Sequence, residues 1–472
     1  MLFNSISYFI FFPLVLCAYW LSPKTFRRAL LLVASYVFYM SWMPVYGFLL
    51  FCMTFANFGI GLLIDKRNQS SSFFLAIGVV LNLALLCYYK YTNFLIQTFN
   101  SFLGRFGEFQ PVANTDIILP LGISFFVFEF IHYLVDVHRG GKPIKNIIDF
   151  ALFAAFFPSQ IAGPIKRYQD FVLQLGQALI PKVNEGIRLL LQGLFKKVAL
   201  ADNLALVANA GFSNPSALGG ADALIACLAF TFQIYFDFSG YTDMGRGSAY
   251  LLGFSLPDNF NLPYIASNLS DFWKRWHISL SSWLRDYLYI PLGGGRCSRT
   301  RKHANLLLTM LLGGLWHGAS WHFVVWGALH GAGLVISHEY DAFVSKTAAL
   351  GRAHKRLPLR ICSSILTLCF VILCWIFFRA ESCSSAFSMV HSLVSGRESQ
   401  IVYEVLVQTP VLVALVLYSI YGTFYCIYSK MPPLFAGLSL QAPSRAIIYL
   451  SVFFAAIAFA PSKASPFLYF QF

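Results

Sequence analysis

Residues 305–336 read Asn-Leu-Leu-Leu-Thr-Met-Leu-Leu-Gly-Gly-Leu-Trp-His-Gly-Ala-Ser-Trp-His-Phe-Val-Val-Trp-Gly-Ala-Leu-His-Gly-Ala-Gly-Leu-Val-Ile. Two apolar runs, Asn305–Leu315 and His322–Ile336, are each long enough for a helix and leave His317, His322 and His330 in apolar surroundings. The same apolar character continues outward in both directions. Of 472 residues 58% are hydrophobic and only 11% charged, too little charged surface for a water-soluble protein of this size. Mean hydropathy is +0.65, so a bilayer is the natural solvent. A spanning helix needs about 20 largely apolar residues, and backbone groups in hydrocarbon must pair within their own segment, which favours helices over a barrel for runs this long.

Further helices are expected near Phe3–Trp20, Leu30–Trp42, Gly47–Ile64, Phe73–Leu95, Ile117–Val137, Leu189–Phe212, Leu224–Tyr241, Ile361–Phe378, Val405–Ile427 and Ile447–Ala460. The fold class is an all-α polytopic membrane protein with about 11 spans plus re-entrant segments. Asp149–Gly163, flanked by basic segments, and Tyr264–Leu292, too polar to face lipid, are the re-entrant or cavity-lining segments. Lys196, Lys197, Asp202 and Asn203 interrupt Leu189–Phe212, which is either a span or an interfacial amphipathic helix. No repeat or linker divides the chain, so residues 1–472 are taken as one domain, with a polar belt at 237–330 and an aromatic tail at 461–472.

The net charge of +14 comes from short basic loops rather than a basic face or arm, which argues against nucleic acid and for the positive-inside rule. Lys24/Arg27/Arg28, Lys66/Arg67, Arg139/Lys142/Lys145, Arg296 to Lys302, Arg352 to Arg360, and Lys430 with Arg445 are placed in the cytoplasm, which puts both termini outside. Met1–Trp20 lacks a basic n-region and a cleavage site and reads as a retained first helix. The ten cysteines lie mostly in apolar runs with no Cys-x-x-Cys pair, the pattern of small buried hydrophobes.

Ionisable groups inside apolar segments are costly unless paired or wet, so the belt is where chemistry is sought. Asp237, Ser239, Tyr241, Thr242, Asp243 and Arg246 stand at the end of an apolar helix. They form either a charged helix end, with the carboxylates paired to Arg246 or Arg275, or the wall of a polar substrate tunnel. Asn261 and Tyr264 follow, and then cations and aromatics alternate from Asp271 to Tyr289. Trp273, Trp276 and Trp283 suit an aromatic interface anchor, while Lys274, Arg275 and Arg285 suit either lipid headgroups or the phosphates of an acyl donor. His277 lies in this segment. His317 lies about 20 Å along its helix from the preceding loop, well inside the bilayer. Imidazole takes a proton from a hydroxyl near neutral pH, and a second imidazole can orient the first. The spacings of five and eight between His317, His322 and His330 do not set all three on one helix face, and no metal is called for.

At these residues the chain resembles the membrane-bound O-acyltransferase family, in its alginate and peptidoglycan O-acetylation branch and, more distantly, teichoic acid D-alanylation. The likeness runs through Leu-Pro-Leu-Gly-Ile-Ser-Phe from Leu119, Phe-Phe-Pro-Ser-Gln-Ile-Ala-Gly-Pro from Phe156, Asp237–Asp243, Trp-Lys-Arg-Trp-His-Ile-Ser-Leu from Trp273, Leu-Trp-His-Gly-Ala from Leu315 and Trp-Ile-Phe-Phe-Arg-Ala from Trp375. The resemblance implies a ring of helices around a central tunnel, with His317 at the catalytic histidine and His277 at the second signature position. It also implies an acyl group drawn from a cytoplasmic thioester, acetyl-CoA or an acyl carrier, and passed to an extracytoplasmic SGNH-type O-acetyltransferase that modifies a polysaccharide. The final Pro-Phe-Leu-Tyr-Phe-Gln-Phe resembles the aromatic motif of a small partner peptide in D-alanylation, which implies an acyl relay at Tyr469.

The sequence therefore predicts an acetyltransferase of the bacterial cytoplasmic membrane, with His317 as general base and His277 in support. Two other readings stay open: a transporter or flippase whose belt is a permeation path, and a scaffold for an extracytoplasmic transferase.

Overall fold

A computed structural model describes residues 1–64, 70–107, 110–161, 163–346, 357–418, 442–462 and 465–468. Among these residues there is no strand and most apolar runs form helices; the run expected from Ile117 becomes helical only at Ile123, and residues 419–427 of the run from Val405 lie outside the described residues. Four helices are long and apolar enough to cross a membrane by length and composition: Pro44–Leu63, Ser71–Leu103, Gly220–Leu251 and Leu357–Arg379. Ile401–Gln408 and Val411–Tyr418 meet at 62° and make a fifth candidate as one broken span. Ile6–Leu21 is a shorter apolar helix.

Chain contacts divide the molecule into two compact units, Met1–Pro181 with Ala249–Thr367, and Lys182–Ser248 with the described residues from Leu368 onward. In the first unit, Ile6–Leu21, Lys24–Met40, Pro44–Leu63 and Ser71–Leu103 each turn a row of large hydrophobics outward, including Leu14, Val33, Phe48 and Phe73. Acyl chains cover such faces at no cost, whereas water would not. The Ile123–His138 helix is different. Its residues from Ile123 to Leu134 are all buried, so it is wrapped by protein on every side. It carries Glu129, whose carboxylate takes both bonds of the Lys166 ammonium at 2.8 Å and so compensates a charge in the core.

Asp149–Gly163 is not an ordinary span. Ile147–Ala155 breaks at Phe156, whose ψ of 102° leaves the helix, and only the short Phe157–Gln160 turn follows, buried throughout. Tyr264–Leu292 is likewise broken into Leu269–Arg275, Ile278–Leu284 and a π-helical turn at Arg285–Tyr289. Ser159 and Gln160 in the first segment and His277 and Ser279 in the second are buried among protein side chains, where irregular backbone at membrane depth is tolerated.

In the second unit Val183–Phe195 continues through a π-helical turn at Lys196–Ala201 into Asp202–Phe212. Lys196, Lys197, Asp202 and Asn203 in this stretch are buried in protein rather than turned outward. Gly193 and Gly240 let this helix and Gly220–Leu251 touch backbone to backbone: a Cβ at Gly240 would stand 2.8 Å from the Gly193 carbonyl oxygen. The close approach sets Lys196 Nζ 2.7 Å from Asp243 and Lys197 Nζ 2.7 Å from Asp237.

Candidate functional site

Arg299–His317 and Trp321–Ser345 pack along their length, and glycines decide how closely. Gly314 lies against the Phe323 carbonyl and Gly327 against the Met310 carbonyl, so the glycines of this region serve backbone packing. The first helix ends at His317, where its last carbonyls lose their intrahelical partners. They are capped from another helix. Ser71–Leu103 contains a π-helical turn at Cys87–Tyr91, and Lys90 Nζ donates to the carbonyls of Trp316 at 2.6 Å and His317 at 3.0 Å. Tyr91 donates its hydroxyl to Leu315 O at 2.7 Å. A cation at a helix C-terminus also meets the negative end of the helix dipole.

His277 reaches the same place by a different route. It is one of two non-glycine residues with positive φ among the described residues, at φ 43° and ψ 53°. The turn is pinned by Asn261 N–H to Arg275 O and Ile278 N–H to Asn259 O, both 2.9 Å. The Asn259 side chain finishes the job. Its Oδ1 accepts from Ser279 N–H at 3.1 Å and from Ser279 Oγ at 2.8 Å, and stands 3.2 Å from His277 Nδ1. An oxygen already receiving two donors is an acceptor toward the imidazole too, so the proton sits on Nδ1 and Nε2 keeps its lone pair.

An aromatic cluster joins the two histidines. The Trp316 ring lies 6.2 Å from His277 and 4.9 Å from His317. Trp326 lies 5.0 Å from His317 and 4.8 Å from His330, and Trp273 lies 5.1 Å from His330. His277, His317 and His330 are all buried. His322, also buried, packs its ring 4.2 Å from Phe323. Among the described residues no three His, Cys, Asp or Glu side chains are grouped to hold a metal ion.

A cavity of about 350 Å³ opens beside the cluster. Trp273 lines it and is shared with the histidine cluster; Lys274 and Arg285 give it positive charge, and Ser281, Ser282 and Thr309 give it hydroxyls. Thr309 and His317 lie on one helix, eight residues and roughly 12 Å apart. The wall can thus hold an anionic, partly apolar molecule near the imidazoles.

The remaining sequence candidates divide into three groups. Arg275 pairs with Asp271 at 2.8 Å, donates to Asn261 O at 3.3 Å and serves the His277 turn. Trp276 is buried and the Tyr264 ring lies tilted beside it at 6.0 Å. Asp237, Ser239, Tyr241 and Asp243 belong to the second unit. There the two carboxylates pair with Lys197 and Lys196. Tyr241 stacks on Phe467 at 4.4 Å, and the buried Ser239 hydroxyl has no hydrogen-bond partner among the described residues. Tyr469 lies outside the described residues. Sequence reading passed over Lys90, Tyr91, Asn259 and Trp326. Lys90 had a signal, as an ammonium inside a 33-residue apolar helix is a functional candidate by default.

Comparison with known proteins agrees with this architecture. Residues 50–378 match the model of MBOAT, the membrane-bound O-acyltransferase family, a range that holds Lys90, His277 and His317. The chain is 44% identical to the probable alginate O-acetylase of Azotobacter vinelandii over 399 residues, 83% of this chain and 77% of that protein. It is 35% identical to the peptidoglycan O-acetyltransferase of Helicobacter pylori over 433 residues, 84% and 80% of the two chains. The teichoic acid D-alanyltransferase of Bacillus subtilis is 29% identical over 248 residues, 48% of this chain and 61% of its own. With helices throughout, apolar spans and a buried histidine pair, the chain belongs to the membrane-bound O-acyltransferase family and is a multi-pass membrane O-acyltransferase.

Proposed function

We propose that this protein takes an acetyl group from a cytoplasmic thioester, acetyl-CoA or an acylated carrier protein, and passes it outward for O-acetylation of an alginate-like exopolysaccharide or of peptidoglycan. The observation that carries the reading is the buried His277–Trp316–His317 cluster beside a cationic cavity. His317 removes the proton from the acceptor hydroxyl as its oxygen attacks the thioester carbonyl. The C–S bond breaks and the imidazolium returns its proton to the departing thiolate. A thioester is already activated, so proton removal and oxyanion stabilisation suffice. His277, with Nε2 unprotonated, supports the second imidazole; Lys274 and Arg285 meet the donor's phosphates.

The named activities of the alginate and peptidoglycan relatives support the acetyl group and the polymer class. The basic loops support a cytoplasmic donor side and extracytoplasmic termini in a bacterial inner membrane; the outer partner in this reading is an SGNH-type O-acetyltransferase, as the family resemblance implies. Tyr469 is the acceptor hydroxyl in this reading, carrying acetyl to that partner. In cells lacking the native protein, His317→Ala is expected to abolish polymer acetylation at an unchanged membrane level. Continued acetylation with loss of polymer export would instead make the protein a transporter. Tyr469→Phe is expected to stop acetylation as well, and wild-type acetylation in that variant removes the relay.

A further inference from the structure

The second unit contains a buried group of charges that the chemistry above does not use. Lys197 Nζ lies 2.7 Å from both Asp202 Oδ1 and Asp237 Oδ1, and the three side chains are 1–2% exposed. One ammonium between two carboxylates leaves a net negative charge out of water, which is costly unless further donors reach it. The donor comes from far along the chain. Leu468 N–H donates to Asp237 Oδ2 at 2.8 Å, and Lys197 Nζ donates to Ser465 O at 3.0 Å. Asn203 Nδ2 holds the approach to this segment through Phe459 O at 2.7 Å.

These contacts read backbone, not side chains, with one exception. Phe467 is 1% exposed and stacks on Tyr241 at 4.4 Å, with Phe238 at 6.1 Å. The group is not needed to join the helices, since Lys196–Asp243 and the glycine contact already do so. Its distinctive partner is an irregular stretch of chain with an aromatic side chain two residues after the captured carbonyl.

We infer that Lys197, Asp202 and Asp237, with the Tyr241–Phe238 face, form a clamp for a short aromatic segment, that its ligand is this chain's own Ser465–Leu468 segment, and that acetyl transfer requires the segment to be docked. The clamp goes beyond the route proposed above, because it holds the segment whether or not Tyr469 carries acetyl.

The test is the labelling rate of Leu468→Cys by a membrane-impermeant maleimide, in a background otherwise free of cysteine, alongside polymer acetylation. The docked segment protects the introduced thiol. Phe467→Ala and Asp237→Leu are each expected to raise the labelling rate about tenfold or more and to lower acetylation in parallel, as loss of a charge-assisted hydrogen bond or its aromatic anchor requires. Asp237→Leu leaves Lys197 with Asp202 as a balanced pair. Phe467→Ala leaves all the buried charges intact, so it reports even if Asp237→Leu fails to accumulate. Rapid labelling in the otherwise unaltered protein, or protection that persists in both variants, overturns the clamp. Undocking that leaves acetylation at its normal level overturns the dependence. Tyr469→Phe separates the two ideas: wild-type acetylation there, with both clamp variants behaving as expected, removes the relay and leaves the clamp standing.

Discussion

His277 holds a backbone conformation that costs a branched or bulky side chain roughly 1–3 kcal/mol, and three contacts to the Asn259 side chain help keep it there. His317 is held by its backbone instead, through the Lys90 cap on its own carbonyl and that of Trp316. The cap makes Lys90 a positioning residue. Lys90→Met is expected to lower acetyl transfer about tenfold or more, since a hydrogen bond from a charged donor is worth about 1.5–3 kcal/mol. Lys90→Arg restores much of it, measured as acetyl per polymer at matched protein level; full activity in Lys90→Met refutes the positioning role. The two histidines were legible in the sequence because each is an ionisable group in an apolar or aromatic stretch. Their supports were not. Asn259 precedes His277 by 18 residues and Lys90 precedes His317 by 227, and no local pattern records a contact across such separations.

At the scale of elements, π-helical turns recur where cations are needed: Lys90 in Cys87–Tyr91, Lys196 and Lys197 in Lys196–Ala201, and Arg285 in Arg285–Tyr289. Each inserts an extra residue into a helix and re-aims the side chains, a common device at functional sites. Hydrophobic periodicity located the helices around these turns but carries no mark of a widened turn, which depends on what the side chains find across the helix interface. The Arg299–His317 and Trp321–Ser345 pair depends on glycine in the same way. Gly327→Leu is expected to force the helices apart and destabilise the protein by about 1–3 kcal/mol or more, because the added side chain meets Met310 backbone, not a yielding side chain. A lowered unfolding temperature in detergent reads this out, and an unchanged one means the helices have room to spare. The charged stretch within Leu189–Phe212 was open to two readings because sequence shows that charges interrupt a helix, not that Asp237 and Asp243 wait opposite them.

For the whole molecule, composition and apolar runs were enough to read a helical membrane protein, while the number of spans was not fixed by them. Among the described residues four helices, or five with the bent pair, meet the length and hydropathy needed, and the other apolar runs are shorter, broken or polar. The proposed orientation rests on the charge pattern and is directly testable. Arg296→Cys is expected to react with an impermeant maleimide only in inverted vesicles, and Asn114→Cys only in intact spheroplasts; the opposite pattern reverses the topology. The central claim is that His317 drives acetyl transfer from a cytoplasmic thioester to the outer side. It is tested most directly by supplying labelled acetyl-CoA to sealed inverted vesicles that contain the protein, its outer partner and polymer in the lumen. Wild-type vesicles should deposit label on the lumenal polymer, and His317→Ala should reduce the rate by roughly 10²–10⁴-fold, the range expected for a lost general base. Equal rates of lumenal labelling in the two vesicle preparations would contradict the account.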